Sequence, residues 1–225
     1  MERKTVKIKS LTHLNHNVVQ ILTEKPKAYD FTPGQATEIA INKEGWQDKK
    51  RPFTFTSLPE DDDLQFTIKI YPSHDGVTEQ IGQLNEGDEF IIGDAFGAIT
   101  YKGKGTFLAG GAGVTPFIAI MKSITKNHDS SKHSLLFANK TKKDIFLEDY
   151  FEKVFGQNYI NILSQEKTPS YPFGRIDKQF LKDLNLDLST CFYICGPPKM
   201  TEDLVETLSD LGVKKNHIVT EDFDD

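Results

Sequence analysis

Four short stretches of this chain combine residue types suited to phosphate-bearing ligands. The first is Gly110-Gly111-Ala112-Gly113-Val114-Thr115-Pro116, set between an apolar run and a helical pattern. Glycines there let the backbone approach a phosphate closely. The amides of the helix start then point at the anion and favour its charge. Pro116 suits a first helical turn, because it lacks a donor that would be orphaned there. The spacing is neither G-x-G-x-x-G nor a Walker loop, since no lysine follows the last glycine. The second stretch, Cys195-Gly196-Pro197-Pro198-Lys199-Met200, also follows an apolar run, Phe192-Tyr193-Ile194. No activating base is visible beside Cys195, so covalent catalysis is not expected. The third, Arg51-Pro52-Phe53-Thr54-Phe55-Thr56-Ser57, sets an arginine before aromatic and hydroxyl residues. Its guanidinium suits a phosphate, and its ring and hydroxyls suit a flat ligand. The fourth, Asp75-Gly76-Val77-Thr78, reads as a helix start whose amides and Thr78 hydroxyl suit a second phosphate. Taken singly, each stretch also fits a ligand-free role: a tight strand–helix turn, a buried thiol, an ordinary strand with a surface arginine, a simple N-cap.

Elements must hold these stretches in place. In the first half, Val6 to Ile8, Val18 to Thr23, Gln35 to Asn42, Phe53 to Thr56, Leu64 to Tyr71 and Glu89 to Ile92 read as strands. Pro33-Gly34, Pro59 with Asp61 to Asp63, and Glu86-Gly87-Asp88 are turn signals between them. Short strands at this spacing predict a small antiparallel barrel, interrupted by one helix from Thr78 to Leu84. The second half changes rhythm. Strands are predicted at Thr106–Ala109, Ser134–Ala138, Tyr159–Leu163, Cys191–Cys195 and Val213–Val219. Helices are predicted at about Pro116–Thr125, Ile145–Phe155, Asp177–Leu184 and Pro198–Leu211. Alternating strand and helix means a parallel sheet with helices on both faces. Ligands of such sheets sit at the carboxyl ends of strands, so Cys195 and the glycine turn would face one crevice. The expected fold class is therefore two domains. An N-terminal antiparallel β-barrel over residues 1–101 precedes an α/β parallel-sheet domain over residues 102–225, with the boundary near Tyr101-Lys102-Gly103.

Composition narrows the function. The 225 residues allow one large domain or two of roughly 100–125 residues. A net charge of −6 with no basic block argues against nucleic-acid binding. Two cysteines, Cys191 and Cys195, cannot form a four-cysteine zinc or iron–sulfur site, and no metal site is expected. No apolar run follows the basic residues of the N-terminus, so no secretory signal is expected. The longest uncharged run, Gly105 to Met121, is shorter than the ~20 apolar residues of a spanning helix. The expected location is the cytoplasm, with no membrane span.

The four stretches, in this order and over essentially the whole chain, resemble the ferredoxin–NADP reductase superfamily. Arg51 to Thr54 is similar to that family's Arg-x-Tyr-Ser/Thr flavin motif, with phenylalanine at residue 53 in place of tyrosine. The resemblance implies an FAD-binding barrel and an NAD(P)H-binding parallel sheet. It implies that Arg51, with Pro52 beside it, meets the flavin's phosphates, that Phe53 stacks near the ring, and that Thr54 hydrogen-bonds the ring nitrogen receiving the hydride. Ile68-Lys69-Ile70-Tyr71 resembles the next flavin-lining strand, through Ile68, Lys69 and Tyr71. Gly76, Val77 and Thr78 resemble a phosphate-binding helix start, which favours FAD over FMN. Gly93 to Gly97 resembles the Gly-Pro-x-Gly end of the barrel without its proline.

Gly110, Gly111, Gly113, Val114, Thr115 and Pro116 resemble the dinucleotide's pyrophosphate loop. Asn139 and Lys140, in the stretch Phe137 to Ile145, resemble the adenosine side, as does Gly174-Arg175-Ile176-Asp177. Cys195, Gly196, Pro197 and Met200 resemble the Cys-Gly-Pro-x-x-Met motif, with Cys195 beside the nicotinamide. Glu221-Asp222-Phe223 resembles a tail that lays Phe223 over the flavin. Thr54 and Cys195 are thus the expected catalytic residues. Glu221 reads either as a proton relay or as a solvated acid.

The implied activity is hydride transfer from NAD(P)H to FAD, then electron release to a separate acceptor of ferredoxin or flavodoxin type. Such partners are often acidic, and Lys49, Lys50 and Arg51, or Lys140, Lys142 and Lys143, would supply a basic patch. The choice between NADH and NADPH stays open at this point. Two rival functions remain. One is a non-enzymatic flavin- or nucleotide-binding module for sensing or assembly. The other is a flavin-free dehydrogenase, which needs an acid–base residue beside the nicotinamide. None of the six histidines falls at a parallel-strand end in a recognisable setting.

Overall fold

Alternating side chains close the first half into a barrel. The computed structural model describes residues 3–72, 75–127 and 132–221. Strands β1 (Lys4–His13), β2 (Val18–Glu24), β3 (Ala36–Ile41), β4 (Arg51–Thr54), β5 (Asp63–Lys69) and β6 (Glu89–Phe96) form one antiparallel sheet in the order β4-β3-β6-β1-β2-β5. Its two edges meet: Phe55 bridges Phe66, and the Thr56 amide donates to the Gln65 carbonyl at 2.7 Å. Closure removes the exposed strand edges. Inward residues such as Ile39, Phe55, Phe66 and Phe90 are fully buried, each worth roughly 1.5–3 kcal/mol. Phe31 stacks on Phe55 with ring centroids 4.2 Å apart. The barrel helix, α1, spans Val77–Ile81, one residue earlier at its start and three shorter at its end than its predicted range.

The second half holds β7 (Gly105–Gly110), β8 (Ser134–Asn139), β9 (Tyr159–Leu163), β10 (Cys191–Cys195) and β11 (Ile218–Val219), all parallel, in the order β11-β10-β7-β8-β9. Helices α2 (Thr115–Asn127), α3 (Glu148–Phe155), α4 (Lys178–Asp183) and α5 (Pro198–Asp210) connect them. Every residue of β7 is buried, as a strand covered on both faces requires. Phe107, Phe117, Phe137 and Tyr193 pack on one face of the sheet, and Leu108, Leu136, Phe192 and Ile194 on the other.

Predicted bounds shift elsewhere too, β4 running Arg51–Thr54 rather than Phe53–Thr56, and two elements of the second half differ most. The last strand is only Ile218–Val219, because Val213 belongs to the end of α5. Gly212 takes φ +90°, the Gly212 amide donates to Ser209 and the Val213 amide to Leu208, so Val213 closes the helix and packs beneath it. Helix α3 starts at Glu148 rather than Ile145, since Leu147 takes φ +55°.

The halves are joined by residues 97–104 and press together over a wide face. Gly34 sits at φ +105°, where a Cβ would lie 2.2 Å from the Ile99 carbonyl. Val18 and Leu14 of the barrel pack into the core of the parallel-sheet half. Asn15 donates to the Lys143 and Ile145 carbonyls at 3.2 and 3.3 Å.

Burial raises several acids together. Tyr150 and Cys195 are pushed up to about 12, and Tyr159 and Tyr193 also rise, desolvation being the main cause in each. The unfolded chain loses these protons first. Stability should therefore hold to about pH 9 and then fall toward pH 12, by at most roughly 1.4 kcal/mol per group for each pH unit. Urea midpoints between pH 8 and 11 check this, and a midpoint unchanged over that range would contradict it.

Candidate functional site

The strand order reverses between β7 and β10. Ligands of open parallel sheets bind at that reversal, outside the carboxyl ends of the strands. The Gly110 to Pro116 turn ends β7 and the Cys195 to Met200 turn ends β10, so the fold sets both at this point.

The two turns interlock through their glycines. A Cβ at Gly113 would lie 2.2 Å from the Cys195 carbonyl oxygen. One at Gly110 would lie 2.5 Å from Met200 Sδ and 2.9 Å from Pro197. Gly196 packs back against Gly110. These three glycines therefore serve contact between the turns, whereas the sequence alone suggests phosphate approach for Gly110 and Gly113. Gly111 differs. It takes φ +53° and faces open space, with Lys69 Nζ the nearest atom at 4.0 Å from a built Cβ. It leaves open space beside the first turn of α2.

Val114 and Pro116 are buried and shape the turn. Thr115, 9% exposed, donates its hydroxyl to the Ala112 carbonyl at 2.9 Å and locks the entry to α2. Asn139 ends β8 beside this turn. It is buried, and both polar atoms of its side chain lack a hydrogen-bond partner. Such unpaired groups are costly. Lys140, next in the chain, is exposed.

Cys195 is held as a neutral thiol. Burial pushes its pKa up to about 12, and the Glu221 carboxylate adds to the rise. A thiolate nucleophile is thereby excluded near neutral pH. Glu221 accepts the Ala98 amide at 3.1 Å, and Gly97, at φ +121°, lies against its carboxylate. The end of the barrel, the end of β10 and Glu221 thus converge on one spot. Phe223 lies outside the described residues.

On the barrel side, Arg51 and Pro52 stand exposed at the start of β4. Arg51, Gly76, Val77 and Trp46 line one cleft of about 560 Å³, with Glu38 and Asp75 also on its wall. The Arg51 guanidinium donates to the Lys50 carbonyl at 2.7 Å. The two phosphate-suited stretches, distant in sequence, therefore share a cavity. Trp46 was not singled out by sequence reasoning. An indole in a charged loop just before Arg51 was the available signal. It is partly buried on the barrel core, and Lys49 Nζ sits 3.9 Å from the ring.

Phe53 and Thr54 are half-buried, Phe53 against the barrel core. The Ile68 and Val77 side chains are buried inside the barrel, so only their backbone faces a ligand. Thr78 is half-buried and Tyr71 is 45% exposed. Lys69 leaves the barrel, and its Nζ lies 3.7 Å from Asp144 of the other half. His16 Nε2 approaches the same carboxylate at 3.7 Å. The sequence-predicted residues thus form two groups, one on the barrel and one at the two turns, and Lys69 and Glu221 reach between them. Among the described residues no group of His, Cys, Asp or Glu is arranged to hold a metal.

Comparison with known proteins matches each half separately. An FAD-binding domain model covers residues 3–88, and an oxidoreductase NAD-binding domain model covers residues 107–206. The chain thus joins an FAD-binding domain to an oxidoreductase NAD-binding domain, in the fold of the ferredoxin–NADP reductase family. It is 24% identical to NADH-cytochrome b5 reductase 2 of Mycosarcoma maydis, over 87% of this chain and 62% of that protein. It is 23% identical to the ferredoxin–NAD(P)(+) reductase component of the naphthalene 1,2-dioxygenase system of Pseudomonas putida, over 92% of this chain and 65% of that one. The chain thus spans under two thirds of the length of these two relatives. A ferredoxin NADP+ reductase from Neisseria gonorrhoeae with bound FAD and NADP has the same fold, with a TM-score of 0.83 at 20% identity over 98% of both chains. No described helix is long and apolar enough to cross a membrane.

The residues present fit this family's two ligands. The Arg51–Trp46 cleft offers a cation and a ring, and Gly111 leaves backbone space. Two outcomes follow. Trp46 is the single tryptophan, so its emission should report FAD binding to apo-protein. Arg51→Ala should weaken that binding about tenfold, the cost of one charge-assisted contact; equal affinity would remove Arg51 from the flavin site. Gly113→Ala should destabilise the fold by about 2 kcal/mol or more, because backbone must move, whereas Gly111→Ala should cost about 1 kcal/mol. Thermal melts compare the two, and equal losses would refute the interlocking of the turns.

Proposed function

We propose that this chain passes a hydride from NAD(P)H to bound FAD and then delivers electrons to a separate carrier protein of ferredoxin or flavodoxin type. Residues 1–101 serve as the flavin-binding half and residues 102–225 as the dinucleotide-binding half. One observation carries the reading: Lys69 of the barrel reaches the Gly111 turn, and Glu221 ties the barrel's end at Gly97 and Ala98 to the Cys195 turn. When bound, the flavin supplies two-electron acceptance with release of one or two electrons at a time.

The chain's own residues do the rest. Arg51, with the first amides of α1, holds phosphate charge on the barrel, and Trp46 walls the same cleft. Thr54 offers its hydroxyl at the end of β4, where the ring nitrogen would gain electron density. Gly111 and the first turn of α2 receive the dinucleotide's pyrophosphate. Cys195 and Thr115 shape the nicotinamide pocket, the thiol staying protonated. Glu221, held by the Ala98 amide, closes the pocket from the far side and excludes water. Holding two rings in register is itself catalytic, because orientation entropy is met in advance.

Within these 225 residues the cysteines supply no electron relay of their own. Cys191 and Cys195 are the only two, too few for a built-in four-cysteine iron–sulfur relay. Relatives named for cytochrome b5 and for ferredoxin make a one-electron carrier the supported class.

Cys195→Ala should keep FAD bound and lower the limiting rate of flavin reduction at least tenfold. Normal stopped-flow reduction would remove Cys195 from the site. Turnover with purified ferredoxin, flavodoxin and cytochrome b5 identifies the acceptor. Reduction of ferredoxin or flavodoxin supports the proposal, whereas reduction of cytochrome b5 alone replaces that acceptor with a haem protein.

A further inference from the structure

Helix α2 carries the glycine turn at its N-terminus and a buried grip on the barrel at its other end. Lys122 Nζ donates to the Thr56 carbonyl at 2.6 Å and to Gln65 Oε1 at 2.8 Å. Thr56 is fully buried and lies two residues past Thr54, just beyond the end of the strand that bears the flavin motif. Gln65 is on β5, where its carbonyl takes the Thr56 amide. Lys122 therefore holds the seam at which the barrel closes. Thr115 and Lys122 are two helical turns apart, on one face of α2, or about 10.5 Å along its axis. The same helix presses Ile120 toward Gly34 of the barrel. Lys126, one turn further, meets Glu60 at 2.7 Å, but that pair is exposed and contributes little. No acid balances Lys122 directly; its partners are an amide oxygen and a carbonyl, and Asp61 acts from farther off.

We propose that Lys122 is a positioning residue: with α2 as a rigid spacer, it fixes the distance between the flavin-bearing strand and the glycine turn, and so the ring alignment that hydride transfer needs. Its place explains why a charged side chain is spent inside an apolar interface. Displacements of about 1 Å at a reacting centre can cost on the order of a hundredfold in rate.

The inference rests on the hydride-transfer reading above. The test is anaerobic stopped-flow reduction of the FAD-loaded Lys122→Met protein, using whichever of NADH and NADPH reduces the wild type faster. The limiting rate should fall at least tenfold, while affinities for FAD and the dinucleotide change less than threefold. Lys122→Arg should recover most of the rate. Lys126→Met, on the exposed pair, should match the wild type. Amide hydrogen exchange gives a readout independent of activity: residues 56–66 should exchange faster in Lys122→Met. If that variant does not fold, Gln65→Leu removes one acceptor and should slow reduction about threefold. An unchanged limiting rate, an equal loss in Lys126→Met, or unchanged exchange at residues 56–66 overturns the proposal. A wild-type protein that neither dinucleotide reduces sinks the hydride-transfer reading instead, and exchange then still decides whether Lys122 grips the seam.

Discussion

The site depends on backbone meeting backbone at the reversal point of the parallel sheet. At Gly113 a single added carbon would lie 2.2 Å from the Cys195 carbonyl. No side chain can adapt around that contact, since both partners are main chain. The close approach draws the end of β7 against the end of β10. It also fixes Cys195 beside the start of α2, and shields its thiol enough to keep it protonated. The open space at Gly111 and the Cys195 thiol lie on two sides of that contact.

A second constraint ties this pair of turns to the barrel. Contacts of several kinds cross the interface, among them packing of Val18 and Leu14, the glycine fit at Gly34, the Asn15 hydrogen bonds, the Lys69–Asp144–His16 charge cluster and the Lys122 grip. They differ in their sensitivity to solvent. Apolar packing supplies most of the association. The polar contacts are directional, so they select one relative orientation among many that would bury similar area. An enzyme that aligns two flat rings needs that selection more than it needs further stability.

Much of this was legible in the chain. β9 and β10 fall on their predicted bounds, because a short apolar run ended by turn residues leaves little freedom. The barrel strands were readable from alternation, and the strand-end position of both turns followed from alternating strand and helix. Val213 misled, because an apolar residue that closes a helix looks like the start of a strand. Ile68 and Val77 belong to motifs, but pattern alone does not tell a core side chain from one that faces a ligand. Trp46 and Lys122 were missed for a different reason. Their roles come from partners far away in sequence, Gly76 for the one and Thr56 for the other, and only the folded chain brings these together. The glycines show the same limit in reverse. Their abundance signalled close approach correctly, but whether the approaching group was a phosphate or another strand required the structure.

The central claim is that the two halves bring a flavin and a nicotinamide together. The visible spectrum of the purified protein with FAD, recorded before and after anaerobic addition of NADH or NADPH, tests it most directly. The account predicts bound-flavin bands that bleach within the mixing time or shortly after, with one dinucleotide acting faster. Flavin that binds but keeps its bands with either donor would contradict it, and would leave a binding module in place of a reductase.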